Sequence, residues 1–254
     1  MKKILIGALL LTGCALPVMA CTGISATAKD GGYVQARTIE WGDSYLPSQY
    51  VVIPCGHEMI SYTPKGMNGA KFRARYGVVG LSIVLKDFVV EGLNEAGLSA
   101  GLFYFPHYGN YPVYDAKQNT RTVADLQLVA WMLSQFSTIE EIKAAMQDIR
   151  VVPVDTTGAS STVHWRIGDA NGRQVVLEFV DGVPCFYENE ISVLTNSPGF
   201  PWQMTNLNNY VNLYPGGAEA HQLGGVTIFP FGAGSGFQGI PGDVTPPSRF
   251  VRAA

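Results

Sequence analysis

Cysteine, histidine and charge are all scarce in this 254-residue chain. It contains four cysteines, four histidines and 15% charged residues. No two cysteines have zinc-finger spacing and the histidines are scattered, so we predict neither a metal site nor a cofactor. The formal net charge is −3, without any basic run. Because clustered lysines and arginines supply most of the affinity for nucleic acid, this composition argues against a nucleic-acid partner.

Long apolar runs are missing as well, apart from a short one near the N-terminus. Residues 4–11 are too few to span a bilayer; they follow two lysines and precede a small-residue site that ends at Ala20. This arrangement is typical of a secretory signal peptide. We therefore predict a signal peptide at 1–20, one mature domain at 21–254, a periplasmic or secreted location and no membrane span.

Alternatives remain open for the cysteines. The stretch Leu11–Cys14 also resembles a bacterial lipobox, and processing there would anchor a lipoprotein at Cys14 and leave Cys21 inside the chain. The favoured signal-peptide cleavage instead makes Cys21 the first mature residue. Cys55 and Cys185 are then available to form a disulfide in an oxidising compartment, although the sequence does not show whether their geometry permits it.

Glycine and proline are abundant, and apolar residues recur in short strand-like runs. The 29 glycines and 15 prolines indicate many turns, and a hydrophobic fraction of 47% is typical of a packed globular chain. Alternation at 32–41 predicts a strand, and Asn171-Gly172 predicts a hairpin turn. Further predicted strands are Tyr50–Ile53, Val78–Leu85, Leu98–Phe105, Thr162–Ile167, Gln174–Phe179 and Ile191–Thr195.

The pattern changes to a helical period between Thr122 and Ile149. Apolar residues recur at helical spacing from Val123 to Leu133, which predicts one helix. Thr138 and Glu141 form a candidate capping box for a second helix. The chain thus mixes strands with a helical pair and shows no linker, so we predict a single α+β domain.

An N-terminal Cys21 would carry a nucleophile and a base on one residue. Its thiol can attack a carbonyl, and its α-amine, with an ordinary pKa of about 8, can take the thiol proton. Arg37 and Glu40 lie on the next predicted strand, where a cation lowers the pKa of a thiol and a carboxylate orients an amine. Asn94 and Asn196 supply donors suitable for an oxyanion. Taken singly, Cys21 is better explained as a small buried residue and each asparagine as a turn residue, and Arg37 and Glu40 are compatible with an ordinary surface ion pair.

Seven segments, taken in order, resemble the choloylglycine hydrolase family, which includes bile-salt hydrolases and penicillin V acylases. The matching segments are Cys21–Gly23, Arg37–Gly42, Gly92–Leu98, His164–Asp169, Leu194–Pro198, Asn206–Tyr210 and Gly239–Arg252. The resemblance implies an α+β, four-layer αββα fold of the N-terminal-nucleophile hydrolase type. Because family members continue past Ser248–Arg252 with more strand and helix, we expect this chain to lack C-terminal elements of that fold.

The resemblance also implies roles for the residues that surround the nucleophile. Cys21 is the nucleophile and, through its amine, the base, while Arg37 sits beside the thiol. Glu40 takes the position where many members carry aspartate, and holds the amine.

The resemblance implies that three further residues stabilise the negative charge that develops on the carbonyl oxygen of the substrate. Asn94 and Asn196 build the oxyanion hole, and Arg249 supports the site electrostatically. His164 is interpreted as structural, because the amine already serves as base.

The predicted function is hydrolysis of linear amides through a thioester on the cysteine. Phe103, Phe105 and Trp202 fall beside the asparagine motifs and are predicted to bind a hydrophobic acyl group. Conjugated bile salts, penicillin V-like amides and acyl homoserine lactones all remain open as substrates, and relatives suggest a homotetramer. The alternative function is a non-catalytic exported binding protein or lipoprotein that keeps the hydrolase scaffold.

Overall fold

The chain forms many short strands and a few short helices. The computed structural model describes residues 19–41, 45–154 and 162–254, so the predicted signal peptide and the Cys14 lipobox lie outside the described residues. The strands are β1 (Met19–Thr27), β2 (Tyr33–Trp41), β3 (Ser48–Ile53), β4 (Glu58–Ile60), β5 (Lys71–Arg73), β6 (Val78–Ile83), β7 (Val89–Asn94), β8 (Ser99–Tyr104), β9 (Thr122–Ala124), β10 (Arg150–Val152), β11 (Val163–Gly168), β12 (Gln174–Val180), β13 (Val183–Glu188), β14 (Val193–Leu194), β15 (His221–Leu223) and β16 (Val226–Ile228). The helices are α1 (Leu128–Gln135), α2 (Ile139–Ala145), α3 (Phe200–Asn206) and α4 (Pro246–Ala253).

Two antiparallel sheets occupy the centre of the protein. The larger has seven strands in the order β13-β12-β11-β8-β7-β6-β3, and the smaller has the order β14-β1-β2. Helix α1 packs on β7 and β8 of the larger sheet, whereas α4 packs on β1 and β14 of the smaller one. The layers therefore follow the order helix, sheet, sheet, helix, which confirms the predicted α+β, four-layer architecture.

Apolar side chains fill the space on both sides of the larger sheet. On its helix side, Leu98, Ala100 and Leu102 pack with residues of α1. On the other side, Phe103 joins an inter-sheet core that also contains Cys21. Successive residues of a strand face opposite sides, so burial of all of β8 except Tyr104 shows that this strand lies in the middle of the sandwich.

The strand predictions are confirmed at most positions. The alternating segment 32–41 forms β2, and the hairpin turn after β11 is closed by a hydrogen bond from Asp169 N to Arg173 O. Gly172 in that turn has φ +84°, a conformation that glycine adopts without strain. The prediction at Ile191–Thr195 was too long, because only Val193–Leu194 pair with β1.

The first helix prediction was wrong at its start. Thr122–Ala124 form β9, which pairs in parallel with β10, and α1 begins only at Leu128. Residues 122–124 are buried because β9 pairs with β10. Over only three residues, the spacing of apolar positions does not distinguish a strand from a helix. The second helix begins as predicted, because Thr138 Oγ1 accepts the Glu141 N–H at 3.2 Å. The Glu141 carboxylate, however, reaches Ser137 N instead of closing the capping box on Thr138.

Cys55 and Cys185 are free thiols. Cys55 is exposed and Cys185 is partly buried, and the two do not form the disulfide that the sequence left open.

Replacement of Gly23 by alanine is expected to destabilise the packing between the sheets. A Cβ there would lie 2.6 Å from the Phe103 ring and 2.9 Å from Arg166 Nη1. Overpacking of this kind costs about 1–3 kcal/mol, which urea unfolding measures. Gly225→Ala is the matched control, since a Cβ at Gly225 meets no atom within 4 Å. Equal unfolding free energies for the two variants would contradict the close approach of β1 to β8.

Candidate active site

Cys21 lies on β1, beside a cavity of about 340 Å³. Its side chain is 5% exposed. In the register of β1 and β2, Cys21 pairs with Ile39 and Gly23 pairs with Arg37. Paired residues of neighbouring strands face the same side, so the three side chains of Cys21, Ile39 and Arg37 all point to the cavity that they line.

The side-chain amide of Asn196 holds the main chain of Cys21. Asn196 follows β14, and its Oδ1 accepts hydrogen bonds from Cys21 N and from Arg249 Nη2, both at 2.8 Å. Its Nδ2 donates to Tyr104 O at 2.7 Å. One buried amide thereby connects the smaller sheet, the end of β8 and α4, and we call this group of contacts the Asn196 junction.

Arg249 completes the support of β1 from α4. Its Nη1 donates to Cys21 O and to Thr22 Oγ1, and its Nε donates to Val244 O at 3.0 Å. Burial lowers the pKa of Arg249, while the negative charges of Glu40 and of the Cys21 thiolate favour its charged form. The Arg249 guanidinium is thus held against the main chain of the nucleophile.

Arg37 is held on the opposite side of the nucleophile. Its Nη1 donates to Leu102 O and to Val90 O, and lies 3.5 Å from Glu91 Oε2. The guanidinium carbon lies 4.1 Å from the centre of the Phe103 ring, a distance suited to a cation–π contact. The arginine is thus fixed in place beside the cavity.

Glu40 lies at the edge of this arrangement. It pairs with Ala20 in the strand register and is exposed, and within the described ranges its carboxylate makes no hydrogen bond. The partner of Cys21 N is Asn196. The negative charge of Glu40 favours the charged form of Arg249. The predicted hold of Glu40 on a free amine stays a prediction.

A model of the linear amide C–N hydrolases, choloylglycine hydrolase family, matches residues 21–254. This chain belongs to that family. As a member it is a hydrolase of carbon–nitrogen bonds in linear amides, and the resemblance seen in its seven segments is confirmed.

Named relatives support the assignment of this hydrolase. It is 32% identical to a bile salt hydrolase/transferase of Clostridium perfringens, over 92% of this chain and 70% of the relative. It is 31% identical to a conjugated bile acid hydrolase of Lactobacillus acidophilus, over 92% of this chain and 73% of the relative.

Solved structures confirm the fold of the hydrolase. A mutant conjugated bile acid hydrolase from Clostridium perfringens superposes with a TM-score of 0.78 at 30% identity, covering 91% of this chain and 70% of that one. Penicillin V acylase from Agrobacterium tumefaciens gives a TM-score of 0.65 at 25% identity, covering 76% of this chain and 58% of that one. The fold is therefore that of the N-terminal-nucleophile hydrolases.

Asn94 does not join the other predicted catalytic residues of the hydrolase. Its Nδ2 donates to Leu133 O and Phe136 O, and its Oδ1 accepts the N–H groups of Ala96 and Leu98. It does not line the cavity, and it stands four residues along β7 from Val90, roughly 13 Å at strand spacing. In this structure the Asn94 side chain fastens the end of α1 to the β7–β8 turn, and its predicted part in an oxyanion hole stays a prediction.

The predicted acyl-binding aromatic residues are also placed elsewhere. Phe103 is fully buried between the sheets, and Phe105 stacks on His164 with ring centres 4.3 Å apart. Trp202 is 48% exposed on α3, and none of the three lines the cavity. The walls are instead aliphatic, with Tyr104 as the one aromatic lining residue in the described ranges. The aliphatic lining residues are Ile39, Leu46, Ile83, Val84, Val90, Leu102, Leu126, Pro153, Val154 and Val163.

A buried pair supports the segment that carries Asn196. His164 Nδ1 lies 3.0 Å from Glu178 Oε1, and His164 Nε2 lies 3.0 Å from Thr195 O. The imidazole thereby bridges the Glu178 side chain and the backbone of Thr195 through its two ring nitrogens. The structural role predicted for His164 is thus to position the residue before Asn196. No pattern in the sequence indicated Glu178, because it stands in the otherwise apolar run of β12.

Asp125 is a second residue that the sequence reasoning missed. It lines the cavity and is 3% exposed. Burial raises its pKa to about 7, while the Tyr111 hydroxyl and backbone N–H groups lower it. In the sequence it resembles an ordinary acid in the first turn of a helix, which conceals its place in the cavity wall. Among the described residues no cluster of His, Cys, Asp and Glu is arranged to hold a metal, and no helix is long and apolar enough to span a membrane.

The Asn94→Ala variant is expected to lose stability but keep its catalytic rate per folded molecule. Two carbonyls and two N–H groups lose their partner, which costs roughly 2–4 kcal/mol. Loss of an oxyanion donor would instead lower kcat by about 100- to 1,000-fold. Urea unfolding and kcat, compared with the exposed-turn control Asn171→Ala, separate these outcomes. A fall in kcat of that size, without loss of stability, would restore Asn94 to the catalytic group.

The stability of Asp125→Asn relative to wild type is expected to rise with pH. Folded Asp125 keeps its proton up to about pH 7, whereas an unfolded aspartate loses it near pH ~4. Between these values the folded state binds more protons, so the free energy of unfolding of the wild type falls as pH increases. The asparagine of the variant does not titrate. The difference in unfolding free energy between Asp125→Asn and the wild type should therefore grow by up to about 4 kcal/mol between pH 4 and 7. Denaturant unfolding across this pH range measures it; a constant difference would show that folding does not raise the pKa of Asp125.

Proposed function

We propose that Cys21, released as the first residue by removal of residues 1–20, is the nucleophile of this hydrolase, and that the substrate is an amide with a hydrophobic acyl group. The observation that carries the proposal is the position of Cys21: its thiol faces an aliphatic cavity, and its nitrogen is held by Asn196 at 2.8 Å. Aliphatic walls favour an apolar acyl group over a charged one.

In the proposed reaction the α-amine takes the thiol proton and the sulfur attacks the amide carbonyl. The carbonyl oxygen gains negative charge, and the second N–H of Asn196 Nδ2, beyond the one donated to Tyr104 O, is a donor for it. Collapse of the tetrahedral species breaks the C–N bond, and the α-ammonium protonates the leaving nitrogen. Water then attacks the thioester, releasing the carboxylic acid and restoring the thiol. Arg37 and Arg249 favour the anionic forms along this path.

The names of two relatives suggest substrates to test. Similar proteins are named as a bile salt hydrolase/transferase in Clostridium perfringens and as penicillin V acylase in Pectobacterium atrosepticum. We propose conjugated bile salts and penicillin V-like amides as the substrates to test, and export by a cleavable signal peptide, with a homotetrameric assembly by analogy to relatives.

Removal of the thiol alone is expected to abolish turnover. Mature Cys21→Ala keeps the α-amine but lacks the nucleophile, so amine release from glycine- and taurine-conjugated bile salts and from penicillin V should fall by more than about 1,000-fold. Cys185→Ser is the matched control, since its thiol is outside the site. Turnover that survives in Cys21→Ala would refute the proposed nucleophile.

Blocking the amine alone is expected to have a similarly large effect. A form in which one uncleaved alanine precedes Cys21 keeps the thiol but has no free α-amine, and it should lose most of its turnover. N-terminal mass measurement verifies each form, and also detects a lipidated Cys14 if the alternative processing occurs. Full activity of the extended form would show that another group serves as base.

A further inference from the structure

One carboxyl group lies in the wall of the cavity that Cys21 also lines. Asp125 stands directly after β9, and its lining neighbours Leu126, Pro153 and Val154 have no polar side-chain atoms. Its own side chain is 3% exposed. A single acid therefore interrupts an aliphatic surface that lies in the same cavity as the nucleophile.

This carboxyl group has two backbone partners and one side-chain partner, the Tyr111 hydroxyl, in the described part of the chain. Leu126 N and Val154 N donate to Oδ1 at 2.8 and 3.2 Å. Tyr111 is the side chain next to the carboxyl, and its hydroxyl already bonds with Val163, accepting from the nitrogen at 2.9 Å and lying 3.2 Å from the oxygen. A phenol has one hydrogen to donate, so Asp125 Oδ2 shares that hydrogen at best with Val163 O.

No positive charge compensates the acid. Asp125 forms no ion pair in the described part of the chain, and the cation of the same cavity, Arg37, is directed at Val90 O, Leu102 O and Glu91. Burial accordingly raises the pKa of Asp125 to about 7. An asparagine would accept the same two backbone N–H bonds without any charge to desolvate, so those bonds alone do not explain a carboxyl group at this place.

We propose that Asp125 is a specificity-determining residue that accepts a hydrogen bond from a hydroxyl group on the acyl part of the substrate. The proposal rests on the proposed function, because it assigns the acyl group to this cavity. A hydroxyl is neutral, which limits the cost of bringing it into an aliphatic space. It is also a donor, and Oδ2 of the ionised acid accepts from it. Because Oδ1 already accepts two backbone N–H groups, the neutral acid carries its proton on Oδ2, so the ionised form at about pH 8 is the form to assay. A ketone in the same place has no hydrogen to donate to the ionised acid.

Glycine conjugates of matched acyl chains test this preference. The probes are conjugates of eight-, ten- and twelve-carbon acids that are unsubstituted, hydroxylated at the penultimate carbon, or ketones at that carbon. In the wild type, at least one chain length should give a kcat/KM ratio of hydroxyl to unsubstituted of about 10 or more. Asp125→Leu should bring that ratio to about 1 or below. The same ratio in Asp125→Leu and wild type would overturn the proposal.

The Asp125→Asn variant distinguishes loss of the proposed contact from general misfolding of the protein. Its amide oxygen keeps the two backbone bonds, and its NH₂ group presents donors in place of Oδ2. The ratio of ketone to hydroxyl turnover should therefore rise at least several-fold over wild type, a change in direction that general damage to the fold would not produce. An unchanged ratio would contradict direct contact with the hydroxyl.

A binding measurement separates this inference from the chemistry of Cys21. In the Cys21→Ala background, calorimetry with the free hydroxylated and unsubstituted acids requires no turnover. The hydroxy acid should bind about ten-fold more tightly when Asp125 is present and equally well in Asp125→Leu. If Cys21→Ala keeps turnover but the binding preference holds, the nucleophile assignment fails and the Asp125 proposal stands. Equal binding of the two acids with Asp125 present would overturn the proposal whatever the nucleophile.

Discussion

The hydrogen bond between Asn196 Oδ1 and the Cys21 nitrogen is the contact on which the arrangement of the site depends. Through the same amide, α4 reaches the nucleophile by Arg249, and β8 reaches it by Tyr104 O. These groups are far apart in sequence, so their contact requires that both sheets and α4 have assembled. Buried networks of this kind hold their members in one geometry when every partner is present. The position of Cys21 is thus a property of the whole sandwich.

Polar and charged side chains between two apolar sheets need ion-pair or hydrogen-bond partners. The structure provides such partners around the nucleophile. The guanidinium carbons of Arg37 and Arg166 lie 4.1 and 5.6 Å from the centre of the Phe103 ring, and Glu91 lies within ion-pair distance of both groups. On the other side, the buried pair of His164 and Glu178 holds the carbonyl before Asn196. Loss of one partner from either group leaves a buried polar or charged side chain without its hydrogen bond, which is destabilising. The cavity beside Cys21 has mainly aliphatic walls, which is consistent with an apolar acyl group.

The sequence predicts the parts of this protein that depend on short-range pattern. Alternation identifies the long strands, and the ordered segments identify Cys21, Arg37, Asn196 and Arg249, which the structure brings together. Thr122–Ala124 were misread because three apolar or small residues fit a helix as well as a strand. Phe103 and Phe105 were misread because an aromatic residue on a central strand looks the same whether it faces a cavity or a neighbouring sheet.

Other features depend on long-range contacts that no local pattern contains. Asn94 resembles a catalytic turn residue until its partners at the end of α1 are known. The roles of Asp125 and Glu178 depend on residues that are distant in sequence and that the fold brings beside them. The same limitation applies to Glu40, whose charge reaches Arg249 although its hold on a free amine stays a prediction.

The rate of acyl-enzyme formation in Asn196→Ala tests the central claim most directly. Rapid-quench mass measurement of the thioester on Cys21 isolates this step from later hydrolysis, and circular dichroism verifies that the variant is folded. If the Asn196 junction positions the nucleophile, acylation should slow by about 100-fold or more, since small displacements of a reacting group have effects of that size. Acylation at the wild-type rate in a folded Asn196→Ala protein would contradict the account.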